Sequence, residues 1–130
     1  MKEICEDYSP TNREDVQKRI AKLTKLGYLL KNRAPSEEEI KACTPFLDRQ
    51  IAIIKPGIIC TLGNFSTSYI LDKFGMRPES IGKVHGKVFS VHNLMLSSKI
   101  VPLHHPAAAL RNPDLKSVMR GDFRVLKGLI

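Results

Sequence analysis

The run Ile58–Leu62, IICTL, carries no charge and sits between Gly57 and Gly63. A short apolar run punctuated by glycines predicts a strand buried on both faces within a parallel sheet. A helical pattern follows at once, with Asn64 at the N-cap position, Phe65, Tyr69, Ile70 and Phe74 on one side, and Gly75 at the end. Strand, tight glycine turn and helix are half of a βαβ unit. Residues 84–91 and 98–103 predict two more strands, and residues 114–129 a terminal helix. This order predicts an α/β fold, a three-layer sandwich with a mainly parallel central sheet.

Upstream, Ser36 and Glu39 form a capping box behind Pro35, and three glutamates, Glu37, Glu38 and Glu39, occupy the first turn, where the helix dipole favours negative charge. Ile40, Cys43, Leu47, Ile51 and Ile54 then recur at three- and four-residue spacing, predicting one buried stripe that ends at Lys55, Pro56 and Gly57. Pro45 inside this pattern predicts a kink or a restart. Residues 13–30, REDVQKRIAKLTKLGYLL, place Val16, Ile20, Leu23 and Leu26 at helical spacing between basic residues, predicting an amphipathic basic helix that ends near Gly27. Residues 1–7 predict a short helical fragment before the turn-like SPTN.

A chain of 130 residues with 42% hydrophobic residues is the size of one globular domain. It has no apolar stretch near the ~20 residues of a membrane helix and no leader-like start at Met1, so it is expected to be cytoplasmic or nucleoid-associated rather than secreted, with no membrane partner. The net charge of +8 suits a polyanion such as DNA or RNA, and equally an ordinary solvated basic surface. The three cysteines, Cys5, Cys43 and Cys60, are odd in number and widely spaced, so they make no disulfide framework. Cys60 reads as a small buried hydrophobe; Cys43, on a helical face, reads as either core or ligand.

Ligands of open α/β sheets bind beyond the carboxyl ends of strands, and both TLGN at 61–64 and LHHPAAALR at 103–111 fall at such ends. Backbone amides after Gly63 suit an anion, although a tight turn capped by Asn64 is the simpler reading. His104 and His105 are adjacent, so in a continuing strand they face opposite sides. Behind His105 stand Pro106, Ala107, Ala108 and Ala109, which hold it at a loop mouth where a neutral imidazole N–H can stabilise a developing oxyanion. His85 and His92 have no metal-ligand spacing and read as surface or hairpin residues.

Three stretches in order, NRAPSEEEIKAC, IKPGIICTLGN and HPAAALRNP, resemble the carboxyl-terminal part of the iron–sulfur, or family 4, uracil-DNA glycosylases. The resemblance runs over residues 32–122, with a weaker echo in REDV at 13–16. It implies a three-layer α/β fold and hydrolysis of the N-glycosidic bond of deoxyuridine flipped out of DNA, in base excision repair. It further implies that His105 stabilises negative charge at uracil O2. The segment Pro106, Ala107, Ala108, Ala109, Leu110 and Arg111 would enter the DNA, and Gly63 and Asn64 would rim the uracil pocket. The family's usual wedge leucine is Ala109 here, which leaves Leu110 or Arg111 for that task. Cys43 matches one of four ligands of the family's four-iron four-sulfur cluster.

The departures from the family pattern are equally specific. The GEAPG-like water-positioning loop belongs before Met1 and two cluster cysteines go with it. Where the family carries a uracil-reading asparagine and a KCRPP-like segment, this chain has QKRIAKLTKLGYLLK, with Lys22 or Leu23 near the asparagine position and the third cysteine lost. Cys5 and Cys60 match no ligand position. The expectation is therefore a single domain over 1–130, incomplete at its amino terminus and divergent over 17–30. It is expected to be monomeric, to bind no cluster, and to act on uracil-containing DNA with impaired catalysis; the alternatives are a non-catalytic DNA-binding module and a degenerate remnant.

Overall fold

The computed structural model describes residues 17, 18, 20–22, 25 and 33–130. The fragment expected over 1–7, Cys5 and most of the 13–30 helix lie outside the described residues; Gln17, Lys18, Ile20, Ala21, Lys22 and Lys25 are helical. The chain divides into a unit ending at Ala42 and another beginning at Cys43.

In the first unit, helix α1 (Glu37–Ile54) starts at the expected capping box. Glu39 N–H donates to Ser36 Oγ at 3.3 Å and Ser36 N–H to Glu39 Oε2 at 2.8 Å. Arg33 adds a bidentate pair to the same carboxylate at 2.9 and 2.6 Å. These donors, the Arg33 hydrogen bond foremost, hold Glu39 down to a pKa of about 2.

In the second unit α1 runs on through Pro45 without a restart. It stops where Lys55, at φ 48°, turns left-handed and donates its N–H to Ile51 O at 2.9 Å, before Pro56. The expected buried stripe shrinks to Ile51, while Leu47, Ile54, Phe46 and Ile53 are exposed. The three-stranded sheet covers only that part of the helix, with Asp48 tied to Tyr69 Oη at 2.8 Å and Lys73 Nζ at 3.0 Å.

The sheet has the order β1-β3-β2. β1 (Ile58–Leu62) pairs in parallel with β3 (Ser97–Leu103), and β2 (Phe89–His92) pairs antiparallel with β3, so the described sheet is mixed. The strand expected over 84–91 begins later than its sequence suggests. Residues Ile81–Val84 instead form a turn of helix, α3, and Gly86 at φ 71° reverses the chain before β2 can start. The β2–β3 hairpin is closed by Asn93, whose Oδ1 accepts from the amides of Met95 at 2.9 Å and Leu96 at 2.7 Å.

Helix α2 (Asn64–Lys73) follows β1 as expected, but its N-cap is Gly63 at φ 85° and Asn64 is its first helical residue. α2 and α1 cover one face of the sheet: Ile51, Ile70, Leu71, Val91, Leu96 and Ile100 form a buried cluster flanked by Ile59, Tyr69 and Phe74. Thr61 and Thr67 join β1 to α2 through buried hydroxyls 2.8 Å apart. Val101 and Leu103 point to the opposite face and are also buried, with α3 and helix α5 (Leu115–Leu129) both touching β3. Burial of each such side chain contributes about 1.5–3 kcal/mol.

β1 itself departs from expectation. Cys60 and Leu62 are exposed, although their register partners Val101 and Leu103 are buried. Cys60 is thus no core residue, although partial burial still raises its thiol pKa. β1 lies at the sheet edge, where the second face has no cover among the described residues.

Candidate active site

The parallel β1–β3 pair brings its two carboxyl-terminal ends to one rim, where Gly63 N–H donates to Leu103 O at 2.9 Å. At its positive φ, Gly63 presents bare backbone to His105: a Cβ built there would stand 3.5 Å from the Cβ of His105. The two predicted rim loops are therefore in direct contact. Asn64 turns elsewhere, its Oδ1 accepting from Ile81 N–H at 2.8 Å, and so ties α2 to α3.

His105 is the N-cap of a short helix, α4 (Pro106–Arg111), where the sequence alone suggested a loop. Pro106 suits the first helical position because its missing N–H has no partner to lose there. His105 Nδ1 accepts the N–H of Ala107 at 3.1 Å, and its carbonyl accepts the N–H of Ala108 at 2.8 Å. A nitrogen that accepts carries no proton, so the neutral ring holds its hydrogen on Nε2. The exposed imidazole thus offers an N–H donor at the rim, fixed in orientation by the cap. Ala107, Ala108 and Ala109 are half-buried, whereas Leu110 is 84% exposed and Arg111 is exposed as well.

Sequence reading missed the support beneath this rim. His85, expected at the surface, places Nδ1 2.9 Å from Asp122 Oδ2, and its ring lies 4.7 Å from that of His104, centre to centre. Asp122 is 8% exposed and belongs to α5. Its other oxygen is packed so closely on Gly86 that a Cβ there would collide with it, while Gly86 N–H donates to Pro102 O at 2.8 Å. The terminal helix, the α3 turn and the end of β3 are thereby locked together one residue before His105. The glycine after His85 was the available clue; the partner stands 37 positions away, beyond any local spacing.

Cys43 is exposed on α1, and no group of three or more His, Cys, Asp or Glu side chains able to hold a metal occurs among the described residues. A four-thiolate cluster also exceeds the three cysteines of the chain, so these residues do not fit one. Two surface cavities lie away from His105, one beside Asp48, Lys55, Lys73 and Met95, the other beside Met76, Arg77, Glu79 and Phe89. No helix among the described residues is long and apolar enough to cross a membrane.

An α/β sheet whose parallel strands converge on a capped histidine loop, with this order of motifs, defines a class: the chain belongs to the uracil DNA glycosylase superfamily, whose family profile matches residues 11–124. Within it, the chain is similar to proteins named type-4 uracil-DNA glycosylase. It is 50% identical to that of Saccharolobus solfataricus over 96 residues, covering 74% of this chain and 44% of the relative. It is 48% identical to that of Sulfurisphaera tokodaii, over 75% of this chain and 44% of the relative. The Archaeoglobus fulgidus protein is 36% identical, over 72% of this chain and 47% of the relative. The chain thus spans about half the length of these relatives, or less.

Proposed function

We propose that this chain carries the leaving-group side of a uracil-DNA glycosylase site, with His105 as its catalytic residue. The observation that carries this reading is the cap of α4: the Ala107 amide occupies Nδ1, which leaves Nε2 to carry the hydrogen of the neutral, exposed ring. When the C1′–N1 bond of a flipped deoxyuridine breaks, its electron pair passes into the uracil ring and charge collects on O2, where an oriented N–H donor lowers the barrier. Water adds at C1′ and gives up a proton to solvent, and the uracilate departs with the electron pair of the broken C1′–N1 bond. The base would lie beside His105 on the rim where Gly63 carries no side chain. Leu110 and Arg111, exposed at the end of α4, enter the duplex in place of the flipped nucleotide. His85 and Asp122 act as positioning residues through His104.

Uracil release from a uracil-containing oligonucleotide, with protein in excess, tests this. Slow release is expected, reduced on the order of 100-fold by His105→Ala, the usual cost of losing one oxyanion donor. Undetectable release would overturn the enzymatic reading and leave a DNA-binding module.

A further inference from the structure

Helix α5 sorts its residues by side. Leu115, Met119, Asp122, Leu126 and Leu129 recur at spacings of four and three and form its inner side, Asp122 buried and the others half-buried. Lys116, Arg120, Arg124 and Lys127 are all exposed, and at 3.6 residues per turn they fall within an arc of about 80° on one flank. The opposite flank, with Val118, Gly121 and Val125, carries no charge. An ordinary solvated face mixes its signs and spreads them. Here the charges are of one sign, gathered, and locally unfavourable: Lys116 and Arg120, then Arg120 and Arg124, are like-charge pairs four residues apart, and Lys116 stands in the first turn, where the dipole favours a carboxylate. The one carboxylate of the helix, Asp122, is turned inward to His85. None of the four cations has an ion pair among the described residues.

We propose that this flank of α5 is a track for the phosphate backbone of duplex DNA, holding the duplex while the rim receives the flipped nucleotide. Lys116, Arg120 and Arg124 follow one another about 6 Å apart along the helix axis, a linear array of cations suited to a linear polyanion. The helix is also placed for the task. Asp122 ties its middle to His85, and Gly86 beside that pair donates to Pro102 O, so α5 passes level with the end of β3 that leads into His105. A lipid surface fits less well, because an interfacial helix buries its apolar face in the membrane, and the apolar side of α5 is turned inward. The choice of DNA as the polyanion rests on the glycosylase reading above.

The test is fluorescence anisotropy of the full chain on a uracil-free duplex oligonucleotide across a salt series. A variant combining Lys116→Gln, Arg120→Gln, Arg124→Gln and Lys127→Gln is compared with one that loses the same charge elsewhere, at the exposed positions Lys41→Gln, Arg49→Gln, Lys55→Gln and Lys99→Gln. Neutralising the flank is expected to weaken binding about tenfold or more and to lower the salt slope by about 3–4, one phosphate contact per side chain, while the comparison set moves the slope by less than about 1. Because the flank repels itself, its neutral variant is expected to keep or raise the Tm of the free chain. Exchanging Lys for Arg and Arg for Lys at the same four positions keeps the charge and is expected to restore binding. An unchanged slope, an equal loss in the comparison set, or no recovery in the exchanged variant would overturn the proposal. So would phosphatidylserine vesicles bound through these four residues while duplex binding survives their loss, which would assign the flank to a lipid surface. Uracil release from a uracil-containing duplex is read separately: flank-dependent binding without release leaves the track standing and counts against the glycosylase reading, and release with binding indifferent to the flank does the reverse.

Discussion

The hydrogen on His105 depends on one backbone amide, and single residues around it carry similarly sharp consequences. Gly86→Ala puts a Cβ against the Asp122 carboxylate at a left-handed position, so a loss of about 2–3 kcal/mol is expected in urea unfolding. Ser98 Oγ is buried without a hydrogen-bond partner among the described residues, and Ser98→Ala is expected to stabilise by roughly 1 kcal/mol in the same measurement. Glu39 has a depressed pKa in the folded chain, so its contribution is present above the ordinary value of 4.5 and is lost as pH falls through about 2. Carboxyl NMR should show that titration, moved upward by Arg33→Ala. The position of His105 just past the end of β3 was legible, because the proline behind it breaks the strand; the helix that Pro106 and the alanines form was not. The tautomer of His105 was not legible either, since it follows from α4 closing on the ring. Nor was the His85–Asp122 pair, which forms only when the terminal helix packs against β3.

At the level of elements, local chemistry announced itself and burial did not. The bounds of β1 and the capping box of α1 follow from glycines, a serine and a glutamate within a few residues of one another. Whether Cys60 or Leu47 is covered depends on neighbours that no local pattern contains, and both are exposed. The displaced start of β2 has a local cause, Gly86, that apolar periodicity alone overlooked. The Thr61–Thr67 hydroxyl pair offers a test of how β1 and α2 are joined. Thr61→Val or Thr67→Val alone strands a buried hydroxyl and is expected to cost about 1–3 kcal/mol, whereas the double variant recovers most of that loss.

For the whole molecule, a net charge of +8 and an exposed Arg111 at the tip of α4 predict DNA binding that weakens steeply with salt. Fluorescence anisotropy should show it, and Arg111→Ala should lower the salt slope by about 1 if Arg111 contacts a phosphate. The α/β class was legible from one glycine-bounded run, whereas the place of β1 at the edge of the described sheet emerged only once strand order was known. The proposed chemistry centres on the rim shared by Gly63 and His105. Long-range proton–nitrogen NMR of the His105 ring at neutral pH examines that rim most directly. An imidazole with its hydrogen on Nε2 and a bare Nδ1 coupled to the Ala107 amide is the expected result; a ring with its hydrogen on Nδ1 would rule out the proposed role of His105.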